Sequence, residues 1–253
     1  MQLCKILEIL DQIAPFETAA EWDNVGLMVG DPAWDIGSIL VALDPSQEVI
    51  ASAGSASIDL ILTHHPLFFQ GVSHINLSEV IGQKVAMLLE THTALVSMHT
   101  NLDKSPGGVA DTLSTFLRLE EVQTSGMLRY GTIGSSLPLD EWVASLPAGN
   151  ARIVDAGRDV LRVCACPGSG AEFWREAMRQ GCDTFVTGDV RYHTALDARE
   201  SGLNIVDLGH FGSEAIIVQP LADRLRKVFP ELEIHIFEGS DIFINLTSKE
   251  SED

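Results

Sequence analysis

Residues 59–66 read DLILTHHP: an aspartate, a short apolar run, then two histidines and a proline. A run this brief and this uniformly apolar is that of a strand covered on both faces, as in a parallel sheet. Working outward, SILVALD (38–44) is a second β-rich run, followed by a helical stretch at 46–54. Beyond the histidines come a helical stretch at 78–90, a third strand, ALVSM (94–98), a turn-rich patch at 104–108 and a further helical stretch at 109–118. At the start, Leu3, Ile6, Leu7, Leu10 and Ile13 recur at helical spacing, while Glu8 and Asp11 interrupt any signal-like apolar stretch. Alternating strands and helices predict an α/β layered fold.

The plan then repeats. DVLRVCAC (159–166) ends at Pro167 as SILVALD ends at Pro45, a helical stretch covers 170–180, and DTFVT (183–187) matches DLILT 124 positions later. NIVDLGH (204–210) parallels ALVSMH (94–99), each a strand running into a histidine. The shared order predicts internal duplication, with one α/β unit over 1–123 and a second over 124–253. Residues 124–136 read as a strand entry and no stretch has linker character, so the halves should pack closely. The polar end, TSKESED (247–253), is expected to fray.

Acidic residues number 36 against 16 basic ones, a net charge of −20. A field of that sign repels nucleic acid and anionic lipid and argues against both as partners. No apolar run approaches the roughly 18–20 residues that span a bilayer. The length supplies an ample core, so staples are not needed for folding. Cys4, Cys164, Cys166 and Cys182 lack zinc-finger spacing and read as small core residues in a reducing cytoplasm.

Ligands of open α/β sheets collect beyond the carboxyl ends of the strands. There stand His64 and His65 after DLILT, His99 and Asp103 after ALVSM, Asp189, Tyr192 and His193 after TFVT, and His210 and Glu214 after NIVDL. Adjacent side chains diverge on a strand, but where it breaks into a loop both histidines can turn to one site, and Pro66 keeps His65 extended. Imidazoles and carboxylates together suit zinc, iron or manganese, and the residue types do not choose among them. Three histidines and two carboxylates exceed one tetrahedral site. They fit two divalent ions with bridging carboxylates and water held between them as nucleophile.

His99-x-x-x-Asp103 and His210-x-x-x-Glu214 would align on a helix face. Pro106, Gly209 and Gly212 instead suggest loops entering helices, with Ser213 as N-cap and Glu214 in the first turn. His74, His92 and His235 read as structural or exposed, and Trp22, Trp34, Trp142 and Trp174 as packing or interface residues. EWDNVGLMVGD (21–31) is more polar than a strand entry requires, which places it beside the site as a wall or lid. No nucleophile elbow, Walker loop or dinucleotide fingerprint is present.

EWDNVGLMVGD, LTHHPLFF, HTNLD, GDVRYH and DLGHFGSE together resemble the NIF-three-like family (NGG-one-interacting factor three), whose bacterial members are often labelled GTP cyclohydrolase 1 type 2 proteins. The resemblance implies two intertwined, pseudo-symmetric α/β units with mixed sheets. It implies metal ligation by His64, His65, Asp103, His210 and Glu214, and proton-transfer roles for His99 and His193. A toroidal homohexamer is implied as well. Residues 119–135 leave no room for the domain that longer members insert, so this chain resembles the short form. Val25 stands where a shorter Asn-Gly link is common. The function expected is metal-dependent hydrolysis of a small, nucleotide-like molecule at C–N bonds. Against that stand the charge of GTP, for which Arg191 is the one nearby cation legible here, and the alternative of a non-enzymatic metal store or chaperone.

Overall fold

The computed structural model describes residues 1–147 and 151–244. The tail 247–253 lies outside them. The strands are β1 (Gly26–Val29), β2 (Ser38–Ala42), β3 (Leu60–Thr63), β4 (Ala94–Ser97), β5 (Glu120–Ser125), β6 (Leu128–Leu137), β7 (Arg152–Val154), β8 (Val160–Ala165), β9 (Thr184–Thr187), β10 (Asn204–Asp207) and β11 (Glu233–Ile236). They form two mixed sheets, ordered β1-β4-β3-β2-β11 and β5-β6-β8-β9-β10-β7.

Each sheet has a parallel centre, β2-β3-β4 in one and β8-β9-β10 in the other. At the outer edge of each, the strand preceding the repeat runs antiparallel: β1 on β4 and β7 on β10. The sequence reason is visible in the alternation. Ile39 and Val41 of β2, Leu60 and Leu62 of β3 and Ala94 and Val96 of β4 face one core, while Leu40, Ile61 and Leu95 face another. In the second sheet Val163, Val186 and Val206 face one core and Cys164, Phe185 and Ile205 the opposite one. Strands buried on both faces therefore read as continuous apolar runs.

The leading aspartates of the two repeats do equivalent work. Asp59 Oδ2 accepts hydrogen bonds from the backbone of Gly37 and Ser38 at 2.8 and 3.0 Å, and Asp183 Oδ2 accepts from Leu161 and Arg162 at 3.1 and 2.7 Å. Each latches its strand to the start of the preceding one, which fixes register on both sides of the duplication.

The units interlock. Helix Val218–Val228 packs Val218, Leu221, Ala222 and Leu225 into the core of the first sheet, and β11 pairs with β2 there. Helix Val109–Phe116 sends Val109 into that core and Leu113 into one of the second sheet. Residues 120–137 form an antiparallel hairpin, β5 and β6, extending the strand entry expected at 124–136. Trp142 and Trp174 are buried, and Trp34 packs on His92 with ring centroids 3.8 Å apart; Trp22 is exposed. Among the described residues no helix is long and apolar enough to cross a membrane.

Cys164, Cys166 and Cys182 are free and buried in one core. Burial pushes the Cys164 and Cys166 thiols far up and that of Cys182 up to about 11. None is a thiolate at neutral pH, and thiolate is the reactive form. Iodoacetamide applied to the folded protein should therefore modify no cysteine other than Cys4, as read by peptide mass spectrometry. Labelling of Cys164 or Cys182 without denaturant would contradict this packing.

Candidate metal centre

The carboxyl ends of the central strands of both sheets meet at one site. His64 and His65 follow β3 directly. Asp103 is the last residue but one of the short helix Thr100–Lys104, for which His99 is the N-cap position, and His210 and Glu214 begin and end the short helix His210–Glu214. Here the sequence expectation is corrected: these segments are helical turns, not loops, and Ser213 is not an N-cap. Gly209, at φ +74°, turns the chain straight from β10 into the helix, so His210 and Glu214 share a face at i,i+4 spacing. The Ser213 hydroxyl donates to the His210 carbonyl at 2.9 Å and accepts from Gly168 N–H at 3.0 Å. Gly168 itself touches the centre, because a Cβ there would lie 2.2 Å from Glu214 Oε1.

The imidazole Nε2 atoms converge. His65 Nε2 and His210 Nε2 lie 2.9 and 3.0 Å from Glu214 Oε2, and His64 Nε2 lies 3.5 Å from Asp103 Oδ1 and 3.9 Å from Glu214 Oε2. In each of the triads His64/His65/His99, His65/His210/Glu214 and His64/Asp103/Glu214, potential ligand atoms fall within 4.8 Å of one another. The opposite nitrogen of every ring is held from behind. Nδ1 of His64 meets the Met98 carbonyl at 2.8 Å, that of His65 meets Asp44 at 2.7 Å, that of His99 meets Asp23 at 2.8 Å and that of His210 meets Asp189 at 2.7 Å. A carbonyl can only accept, so His64 carries its proton on Nδ1 and turns a bare Nε2 inward. The three carboxylates favour the same tautomer in their partners.

The set suits a cation on its own chemistry. His64 Nε2 and Asp103 Oδ1 are buried with no hydrogen-bond partner among the described residues, a costly arrangement that a divalent ion relieves. Donors about 3–4 Å apart are spaced for a shared ion with bonds of roughly 2.0–2.2 Å.

Charge is arranged around this centre. Burial holds His64 down to about 3, so it is a neutral ligand. Burial also opposes protonation of His65, but the bonds to Asp44 and Glu214 outweigh it and raise its pKa to about 10. The Glu214 contact, against burial and with help from Asp189, raises His210 to about 9. Glu214 is held far below the ordinary carboxylate range: burial disfavours its ionisation, and the His210 and His65 bonds overcome that. Burial, reinforced by repulsion from Glu214, pushes Asp103 well up.

Metal uptake near neutral pH must therefore displace protons from His65, His210 and Asp103. Apparent affinity should rise with pH by up to about tenfold per unit for each proton released, flattening above about pH 10 where the imidazoles are already neutral. Titration calorimetry in buffers of differing ionisation enthalpy measures this release. Heats independent of the buffer would refute it.

An open groove of about 2000 Å³ lies in front of the site, lined by Trp22, Asp44, His65, Phe69, His99 and Glu214 among others. The five residues put forward as ligands and His99 thus gather at one place. His193 does not join them: it is exposed in the first turn of helix Tyr192–Glu200, packed edge-on against Tyr192 at 5.4 Å, and it is not part of the groove wall. Nor is Arg191, and the cations that do border the groove are Lys84 and Arg152. Asp23 and Asp44 were missed as partners. Asp44 follows a strand end just as His64 does, so the same rule could have found it, and the excess polarity of EWDNVGL was the signal for Asp23.

A family model described as Duf34/NIF3 (NGG1p interacting factor 3) matches residues 1–241. The chain belongs to this family. A relative named GTP cyclohydrolase 1 type 2 homolog, from Clostridium perfringens, is 35% identical over 241 residues, covering 90% of this chain and 92% of that protein. A hypothetical protein of Staphylococcus aureus superposes with a TM-score of 0.91 at 27% identity, covering 97% of this chain and 99% of that one. Reduced HcgD from Methanocaldococcus jannaschii superposes at 0.84 with 29% identity, over 93% and 97% of the two chains. The two mixed sheets are those of the Duf34/NIF3 fold.

Proposed function

We propose that this Duf34/NIF3 protein binds two divalent metal ions and hydrolyses a small, nucleotide-like molecule at a C–N bond. The single observation that carries this reading is the inward convergence of imidazoles held from behind, beside a groove large enough for a substrate. His64, His65, Asp103, His210 and Glu214 would hold the ions, Glu214 between its two histidines and Asp103 on the side of His64. Bound zinc, iron or manganese supplies Lewis acidity and lowers the pKa of water.

The chain's own residues account for the rest. His99, with its Nδ1 proton held by Asp23, has Nε2 free to accept a proton from the attacking water and return it to a leaving nitrogen. His193 is retained in the proposal only as an outlying proton carrier, given its exposed position. The relatives' printed name supports a nucleotide-like substrate.

Turnover of a panel of nucleotides, nucleosides and phosphoesters by metal-loaded protein tests the reading, with a His64→Ala, Glu214→Ala double variant as control. Activity surviving in the double variant would overturn it. The non-enzymatic alternative, a metal store or chaperone, predicts the same ligands without a constrained pocket beside them, and turnover of the panel separates the two readings.

We further propose a cytoplasmic homo-oligomer, a toroidal hexamer, without nucleic-acid or membrane partners. The exposed apolar residues Val72, Ile75, Leu77 and Val80 support a face covered in solution. Light scattering returning the mass of one chain would remove this assembly.

A further inference from the structure

Two aromatic rings flank the centre without serving the core. Trp22 is 63% exposed and Phe69 50%. Both stand edge-on to the His99 imidazole, with centroids at 6.0 and 5.7 Å and interplanar angles of 74° and 76°. Trp22 comes from the turn before β1 and Phe69 from the loop after His65, so two separate elements bring them to the same histidine. Among the described residues neither ring meets any aromatic partner but His99. Both line the groove, and large apolar surface left in water beside polar groups marks a binding site.

The charge of the groove narrows what can enter. Carboxylates in its wall, among them Asp44, Glu48, Asp189, Glu238 and Asp241, outnumber the cations Lys84 and Arg152. Arg152 is already paired with the buried carboxylate of Asp207. Among the side chains of the wall a chain of phosphates would find Lys84 as its one uncommitted cation, and the positive charge by which two divalent ions exceed Asp103 and Glu214 is outweighed by Asp44, Glu48, Asp189, Glu238 and Asp241. A planar ring has the opposite balance: it stacks on aromatic faces, and its ring and amino N–H groups donate to carboxylates.

We propose that Trp22 and Phe69 grip a planar heteroaromatic ring at the His99 end of the metal centre, and that the ligand is a free base or nucleoside rather than a nucleoside triphosphate. As a statement about substrate this rests on the hydrolase reading above, but it is tested by binding.

Trp22 is the exposed member of four tryptophans, so its emission reports ring stacking. Zinc-loaded protein is titrated with guanosine, adenosine and GTP while tryptophan emission is followed, in wild type, Trp22→Leu and Phe69→Leu. Calorimetry runs in parallel, since Trp22→Leu removes the reporter. Nucleosides should quench saturably, GTP should bind about tenfold more weakly than guanosine, and each variant should lose about tenfold in nucleoside affinity, or 1.4 kcal/mol. Zinc content and unfolding midpoint should be unchanged, because both side chains are half or more exposed.

Equal nucleoside affinity in Trp22→Leu, or GTP binding as tightly as guanosine, would overturn the inference. So would a Trp22 already shielded from acrylamide in the free protein, which would mean that another part of the assembly covers it. Nucleoside binding without turnover of any panel compound would leave this inference standing and remove the hydrolase reading. Turnover without nucleoside binding would do the reverse.

Discussion

Glu214→Ala should purify with well under one metal ion per chain and should unfold more easily even in the presence of chelator. Glu214 lies within 3.0 Å of both His65 Nε2 and His210 Nε2 and is the acceptor common to the site. Losing a group that only orients a ligand already costs roughly 10–100-fold in metal affinity, so losing this carboxylate should cost more than about 100-fold. In the metal-free chain its removal takes away the carboxylate that raises both imidazoles, so His65 and His210, whose Nε2 atoms face each other 3.2 Å apart, lose their shared counter-charge and with it much of the drive to stay protonated. Because the His210 side chain is 37% exposed and both imidazoles can release their protons, the cost is that of hydrogen bonds to a charged group, about 1.5–3 kcal/mol, rather than that of a stranded buried charge.

The pH dependence has a definite sign. The raised histidine pKa values stabilise the fold fully below 6.5 and cease to do so as pH climbs through 9 to 10, while the lowered Glu214 stabilises it above 4.5. The deficit of the variant should therefore be largest between about pH 4.5 and 6.5 and shrink toward pH 10. Elemental analysis and denaturant titrations across that range measure both effects. A variant as stable as wild type at pH 6 would show that Glu214 does not organise the centre.

Asp23→Asn should retain its metal and lose its turnover. The Asp23 side chain is fully buried and accepts from His99 Nδ1 at 2.8 Å, from Thr100 N–H at 3.0 Å and from the Thr100 hydroxyl at 2.5 Å. Burial opposes its ionisation, but the His99 and Thr100 bonds hold its pKa far down. An asparagine whose oxygen takes the place of Oδ2 keeps both Thr100 bonds, and its amide, in the place of Oδ1, then donates toward His99 Nδ1. That reverses the tautomer, placing a proton on the Nε2 that faces His64 and His65.

General acid–base catalysis contributes typically 10²–10⁴-fold, so a loss in that range is expected in kcat, with roughly 1–3 kcal/mol of stability lost with the charge-assisted bonds. Nitrogen-15 spectra of labelled histidine read the tautomer directly, alongside kcat on whichever panel compound is turned over. Unchanged kcat with a reversed tautomer would remove His99 from proton transfer.

The chain order of Asp-led strand, helix, strand and histidine was enough to predict an α/β fold, because strands buried on both faces must be apolar at every position, and the sheets it forms are mixed. Strand ends, where such folds collect polar groups, pointed to His64, His65, His99, Asp103, Asp189, His193, His210 and Glu214, and the resemblance to the family narrowed the expected ligands to His64, His65, Asp103, His210 and Glu214. Helix 218–228 and β11 were not legible as returning to the first sheet: pairing β11 with β2 is a choice among edges, and an edge has no sequence signature of its own.

The roles of Asp23, Asp44 and Asp189 were hidden for a related reason. Each lies 21 or more positions from its histidine, and hydrogen bonds across such separations depend on how loops are set by the packed sheets. That histidines and carboxylates collect at this place follows from composition at strand ends. Which nitrogen of each ring faces inward, and that Trp22 and Phe69 flank His99 while His193 stands apart, follow from tertiary packing, because side-chain direction is fixed by neighbours that local sequence does not name.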